Sequence, residues 1–317
     1  MPFKNRLYIL LFLGLILISP NLHSQGCSDA GFCTMGALSP EQDFKKDRNI
    51  KIRSLELGFY EGQTTITPSV RAGMVNASFS LKKLIFQTKF LVQGNYGGNF
   101  GDVPLRLGDI SLSISKTLIY NYKFSINGTA GFKISTGNGN LKDEHGRSLP
   151  MYYQANLGSH DFVLGGSFLT RKWLISTGLQ IPIIHFNNNQ FDYSEWQDYP
   201  SESYLRLYPE ATNLKRGADA MARIERDFRF SKISFNIGFL AIYRFTKDRV
   251  LSSETNDYLK MDGTIGFATT LLFGFHYRIN TRNTIKLGYG DQIRDRIKNP
   301  DGLSRKHVIT VSYQIKF

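Results

Sequence analysis

Cysteine is nearly absent from this 317-residue chain: its two copies, Cys27 and Cys33, stand close together near the start. So little cysteine excludes a disulfide-stapled scaffold or a cysteine-rich metal module. Beyond residue 24 there is also no run of about 18 or more apolar residues, which excludes membrane-spanning helices. Metal-ligand spacings and phosphate-cradling glycine loops are missing too, so neither a metal nor another cofactor is expected. Acidic residues are in the minority, with 26 Asp and Glu against 39 Lys and Arg and a formal charge of +13. That balance would suit nucleic acid, but the basic residues are dispersed singly and no helix-turn-helix or aromatic-basic motif accompanies them. Nucleic acid is therefore not an expected partner.

What is abundant is aromatic: 24 Phe and 16 Tyr. They recur on alternate positions. The closing stretch sets Ile309, Val311, Tyr313, Ile315 and Phe317 against Thr310, Ser312, Gln314 and Lys316. Segments 233–245, 265–279 and 122–135 repeat the pattern, with Leu240 and Ile242 as apolar exceptions on a polar face. Side chains alternate across a strand, so each segment has one greasy and one polar face. A soluble sandwich alternates as well, but its strands average about 5 to 6 residues. Runs this long fit strands that cross a bilayer, where backbone groups are all paired only if the sheet closes.

Tight links at 82–83, 120–121, 171–172, 230–231 and 280–282 alternate with longer polar links at 94–104, 136–150, 187–217, 247–261 and 292–304, with a further short one near Gly62. The expectation is an all-β fold, an antiparallel transmembrane barrel of about 12 strands, with a range of 10 to 14. The predicted strands are 50–60, 64–81, 84–94, 105–117, 122–135, 160–170, 172–186, 218–229, 232–246, 263–279, 283–291 and 305–317. Alternation in the second strand changes phase near Gly73, which predicts a bulge there. Arg226 has the parity of lipid-facing Ile224 and Phe228. It must either sit near the membrane edge or mark a register slip.

Residues 1–24 combine Lys4 and Arg6 with the apolar run Leu7 to Ile18, Pro20 and Ser24, the pattern of a secretory signal cleaved before Gln25. Acylation of Cys27 as a lipoprotein is the lesser alternative. Export makes a small Cys27–Cys33 disulfide loop the natural reading, with two unpaired thiols as the alternative. Residues 25–49 lack a strand pattern and form a periplasmic segment or a lumen plug, and 50–317 form the barrel. The expected location is the cell outer membrane. Expected partners are its lipid and lipopolysaccharide, the insertion machinery engaging the strand that ends at Phe317, and other outer-membrane proteins.

Polar-face parity nominates Arg71, Lys89, Lys123, Lys133, Arg223, Arg229, Arg244, Arg278, Lys286 and Lys316 as lumen-lining, with Glu56, Asp109, Asp161, Glu225 and Asp227 as partial compensation. A positive interior would favour anionic or amphipathic solutes; ordinary paired lumen charges are the alternative. No catalytic residues are expected. A lipid-modifying enzyme needs a Ser made nucleophilic by a His, and the polar loop with His145 and Ser148, or His160 beside Asp161, supplies the wrong spacing. The longest loop, 187–214, carries Phe191, Tyr193, Trp196, Tyr199, Tyr204 and Tyr208. It could bind a ligand, constrict the pore or cover the barrel end.

The stretch Gly108-Asp109-Ile110-Ser111-Leu112-Ser113-Ile114-Ser115, with Leu157-Gly158-Ser159-His160-Asp161-Phe162-Val163-Leu164-Gly165-Gly166, resembles outer-membrane transporters of the phenol-degradation type, distant relatives of the FadL and toluene channels. The Gln25-Gly26-Cys27 start and the Tyr313-Gln314-Ile315-Lys316-Phe317 end are similar to exported barrels of the Bacteroidota. The resemblance covers 108–170 and the two ends. It implies a channel for small, hydrophobic molecules, to which the positive interior adds anionic ones as an expectation. FadL-type barrels have more strands, and their Asn-Pro-Ala motif is missing here, so no binding residue is carried over. An accessory subunit of an outer-membrane assembly or secretion complex is the second reading, and a lipid-modifying barrel the third.

Overall fold

The computed structural model describes residues 47–66 and 68–317. Twelve antiparallel strands close into a barrel: β1 (Asp47–Thr64), β2 (Ser69–Lys82), β3 (Leu84–Tyr96), β5 (Ile110–Tyr120), β6 (Phe124–Ile134), β7 (Ser159–Thr170), β8 (Trp173–His185), β9 (Asp219–Arg229), β10 (Ile233–Arg244), β13 (Gly266–Arg278), β14 (Asn283–Arg294) and β15 (Arg305–Lys316). β1 completes the ring by pairing with β2 on one side and β15 on the other, so the circuit has no free edge. A short β4 (Val103–Leu107) pairs only with β3, and a small hairpin of β11 (Arg249–Leu251) and β12 (Tyr258–Lys260) stands apart in a loop. Among the described residues, helix is limited to Glu202–Leu205 and two short 3-10 turns.

Alternation decides which face meets what. Leu57, Phe59, Ile114, Phe132, Ile175, Ile237, Phe239, Phe273 and Val311 are exposed on the outer surface. Ser54, Ser78, Ser113, Asn127, Thr129, Ser167 and Gln314 are buried on the inner one. Cross-strand aromatic pairs reinforce the outer belt, among them Phe132 with Phe162 at 5.3 Å and Tyr243 with Phe267 at 4.6 Å. An outer wall of Ile, Leu, Val and Phe has no favourable partner in water and is suited to acyl chains.

Five tight links gather at one end, and side chains shape them, whereas the short link between Thr64 and Ser69 lies at the other. Asn121 Oδ1 accepts from the N–H groups of Lys123 and Phe124, both at 2.8 Å, and Asn280 Oδ1 does the same for Arg282 and Asn283 at 2.9 and 2.8 Å. Thr170 Oγ1 accepts from Trp173 N–H at 2.9 Å. Each is a short side chain standing in for a backbone acceptor, which lets the strand reverse in two to four residues. Residues 97–109, 135–158, 186–218, 245–265 and 295–304 form the opposite, long-loop end.

Three strand expectations need correction. No register shift occurs near Gly73 along β2, which pairs continuously with β3 from Ser69 to Leu81. Val70 and Ala72 instead face inward and pack with Tyr60, Leu91 and Val308, so the interior is apolar at that level. The predicted strand 105–117 is broken at Gly108 and Asp109 into β4 and β5. The first turn lies beyond Thr64, since Gly62 is paired with Val70 and Val308. Arg226 does point outward without a register slip, near the short-turn end of β9. Its guanidinium lies 5.3 Å from the Trp173 and Phe228 rings.

Candidate functional site in the barrel lumen

Inward-facing side chains divide the lumen into a seal, a waist and a vestibule. The seal fills the long-loop end. Gln93 and Asn95 on β3 donate to the carbonyls of Ala155 and Tyr153 at 3.1 and 2.9 Å, drawing segment 151–157 across the bore. Gln154 closes that segment on itself by donating to Leu149 O at 2.9 Å. Asn189, fully buried, donates to Gly139 O at 2.8 Å and Leu149 O at 3.0 Å, tying the loop 186–218 to the loop 135–158. Gly302, with φ +67°, brings a third loop against Met151 and Tyr152: a Cβ there would lie 2.6 Å from their backbone.

Above this floor lies an aromatic core. Phe100 meets Trp196 at 4.7 Å, Tyr199 at 5.1 Å, Tyr208 at 5.3 Å and Tyr153 at 5.5 Å. Arg147 covers the Trp196 ring at 4.1 Å. Burial pushes the phenols of Tyr152 and Tyr153 well up, so both stay neutral hydrogen-bonding groups. Of the roles open to the aromatic loop, this packing matches a cover for the barrel end.

Beneath the aromatics lies a buried ion cluster that joins loops to wall. Arg216 contacts Asp161 at 2.9 Å and Asp301 at 3.4 Å. Arg244 contacts Asp219 at 2.8 Å, Asp248 at 2.7 Å and Asp301 at 2.9 Å. Arg296 reaches Asp301 at 3.4 Å. Lys133 pairs with Asp109 at 2.9 Å on the neighbouring wall. Burial alone would raise the Asp301 carboxyl, but Arg244, Arg296 and Arg216 hold it well below the usual carboxylate range. Just under the floor, between Lys89, Gln93, Met151 and Gly302, the free space is about 40 Å³.

The waist is a chamber of about 250 Å³ between Tyr60, Met74, Lys89, Arg223, Glu225 and His276. Lys286 holds Glu56 at 2.9 Å, and Arg223 holds Glu225. Asn236 donates to Glu225 at 2.9 Å, and its amide overlies Gly274 on the next strand, where a side chain would clash with it. The waist widens into a vestibule of about 1010 Å³ at the short-turn end.

Of the basic residues nominated from parity, Lys133 and Arg244 lie within the buried polar layer of the seal, and Lys89, Arg223 and Lys286 line the waist. Lys123, Arg229, Arg278 and Lys316 line the vestibule. Arg71 does not face the lumen. It stands on the outer face beside Glu61 at 3.0 Å and the Tyr96 ring at 5.2 Å, because β2 keeps a single phase and the odd positions point out. Parity missed Arg216, Asp248, Arg296 and Asp301, which lie in loops where no period exists. Cys27 and Cys33, the signal segment and most of 25–49 lie outside the described residues; Asp47 to Asn49 belong to β1.

Two of the His and Ser residues weighed for catalysis have partners elsewhere. Ser148 Oγ donates to Asn140 Oδ1 at 2.7 Å, and His160 Nδ1 accepts from Ser135 N–H at 3.2 Å. Among the described residues no group of His, Cys, Asp and Glu is placed to hold a metal ion.

No protein-family model matches the sequence, and no curated protein sequence matches it. Solved structures do. The NanC porin shares 9% identity at a TM-score of 0.47, covering 84% of this chain and 100% of that one. The KdgM porin in complex with disordered oligogalacturonate shares 9% at 0.41, covering 83% and 99%. The CymD monoaromatic hydrocarbon channel shares 12% at 0.41, covering 93% and 94%. The oligogalacturonate and the hydrocarbons belong to those proteins.

Proposed function

We propose that the protein is an outer-membrane channel for small molecules whose conducting state requires the loop seal to move. The observation that carries this reading is the origin of the obstruction. Wall side chains leave a lumen that is open from the vestibule to the waist, and the segment that crosses the bore, 151–157, comes from a loop. A loop can be displaced while the strand ladder stays intact, as gating requires. The short turns would face the periplasm and the long loops the exterior.

Planar-bilayer recording tests the reading. The intact protein should be closed or open only briefly. Replacing residues 140–155 by a short Gly-Ser linker should give long-lived conductance. A replaced variant that still shows barrel mobility in unheated gels yet conducts nothing would rule out the channel.

A second reading, an accessory barrel in an outer-membrane assembly, is favoured by how firmly the seal is held. A cluster of Arg and Asp this deeply buried is costly to pull apart. Under that reading the replaced variant would conduct no more than the intact protein, and the barrel would co-purify with other outer-membrane proteins from native membranes.

A further inference from the structure

We infer that the vestibule is a capture chamber for soluble multivalent anions, loaded from the short-turn end. Ten of its lining residues are Lys or Arg and three are Asp or Glu. Each carboxylate already faces a cation of its own: Glu56 with Lys286, Glu225 with Arg223, and Asp227 with Arg229. The lining side chains therefore carry a positive surplus. Lys123, Arg171, Lys232, Arg278 and Lys316 set that surplus around the mouth. Every short turn beside them also carries Lys or Arg and no Asp or Glu, so the same sign continues over the rim.

The valence of the ligand follows from screening. Exposed charges more than about 8 Å apart barely act on each other at physiological salt. One carboxylate would therefore feel one or two cations of the ring, whereas several on one molecule meet several cations together. Low-dielectric walls of one sign also concentrate counter-charge inside a cleft. Size limits the ligand from above, because a cavity of about 1010 Å³ takes a molecule of drug size and not a folded partner. Arg278 and Lys316 have lumen-facing parity, so the barrel wall separates them from membrane lipid. Because the other end is sealed, the anion arrives from the side of the turns. Binding takes place in the sealed barrel, so capture stands apart from the channel reading, and only onward passage of the anion rests on it.

The test is equilibrium binding of citrate, which carries three carboxylates, to the full protein in phosphatidylcholine nanodiscs, with acetate as the single-charge control. Citrate should bind at least ten times more tightly than acetate and weaken steeply with salt. The triple change Lys232→Gln, Arg278→Gln, Lys316→Gln should weaken citrate at least tenfold, and Lys123→Gln with Arg171→Gln should do so through turn residues alone. Lys142→Gln, Lys260→Gln and Lys298→Gln, at the opposite end, should change nothing. Absence of citrate binding by the intact protein, or equal losses at the two ends, would overturn the proposal. So would loss of binding when phosphatidylglycerol replaces phosphatidylcholine, since lipid headgroups would then be the occupants. A barrel that binds citrate but never conducts would leave the chamber standing and remove the channel.

Discussion

Asp301 is the residue on which the seal turns. Its carboxylate lies against three guanidiniums, those of Arg216, Arg244 and Arg296. Removing one partner of a buried charge cluster leaves uncompensated charge and costs about 3–5 kcal/mol. Asp301→Asn should therefore expose the loop 135–158 to protease and raise open probability in bilayers. The pH dependence has a definite sign. The folded Asp301 carboxyl lies below its unfolded value, so its contribution is complete above that value and is lost as pH falls through the folded pKa. Asp248 runs the other way: burial raises its carboxyl, Arg244 opposes that, and Asp301 adds to it. Its contribution is present below the unfolded value and is lost as pH rises through the folded one. Asp248→Asn should thus be milder than Asp301→Asn at neutral pH. Equal protease sensitivity of the two variants would contradict this ranking. A second probe is steric. Gly302→Ala would put a Cβ 2.6 Å from the Met151 and Tyr152 backbone at a positive φ. The backbone strain alone costs roughly 1–2 kcal/mol, and the same increase in loop cleavage should report it.

At the scale of elements, the strands were legible and the loops were not, for one reason. A strand with lipid on one face and a polar interior on the other repeats every two residues, and that period showed all twelve wall strands in the sequence. The period misled where its premise failed. Val70 and Ala72 look like lipid-facing residues but pack inside the bore against Tyr60, Leu91 and Val308 of neighbouring wall strands. Arg71 looks like a lumen residue for the same reason. The seal has no period: Arg216, Asp248 and Asp301 come from three different loops, and only folding brings them within reach of one another or of Arg244. The aromatic loop 187–214 could be recognised by composition, but its packing around Phe100 could not, because Phe100 lies on a different loop. Closure itself can be tested at the element scale. Val311 on β15 is paired with Phe59 on β1 and Leu287 on β14. Proline there removes a ladder donor in a strand with neighbours on both sides. Val311→Pro should abolish the folded, fast-migrating band in unheated gels, whereas Val311→Thr should keep it.

For the molecule as a whole, the decisive quantity is the height of the apolar belt relative to the membrane. Phe239 sits in the middle of β10 and faces outward; Arg226 also faces outward but lies close to the short-turn end of β9, flanked by Trp173 and Phe228. A cation at the bilayer midplane costs about 2–4 kcal/mol and near the interface about 0–1 kcal/mol. Phe239→Arg should therefore lower folding stability in lipid vesicles by about 2–4 kcal/mol. Arg226→Leu should change it little, because the native charge already lies where headgroups reach it. Denaturant titration of vesicle-inserted protein, followed by Trp fluorescence, measures both. Basic turns at the same end support this placement, since Lys83, Lys172 and Arg282 would meet the headgroup layer. If Phe239→Arg proved as harmless as Arg226→Leu, the aromatic belt would not be at membrane depth. The surface of Ile, Leu and Phe around the barrel would then need a protein to cover it.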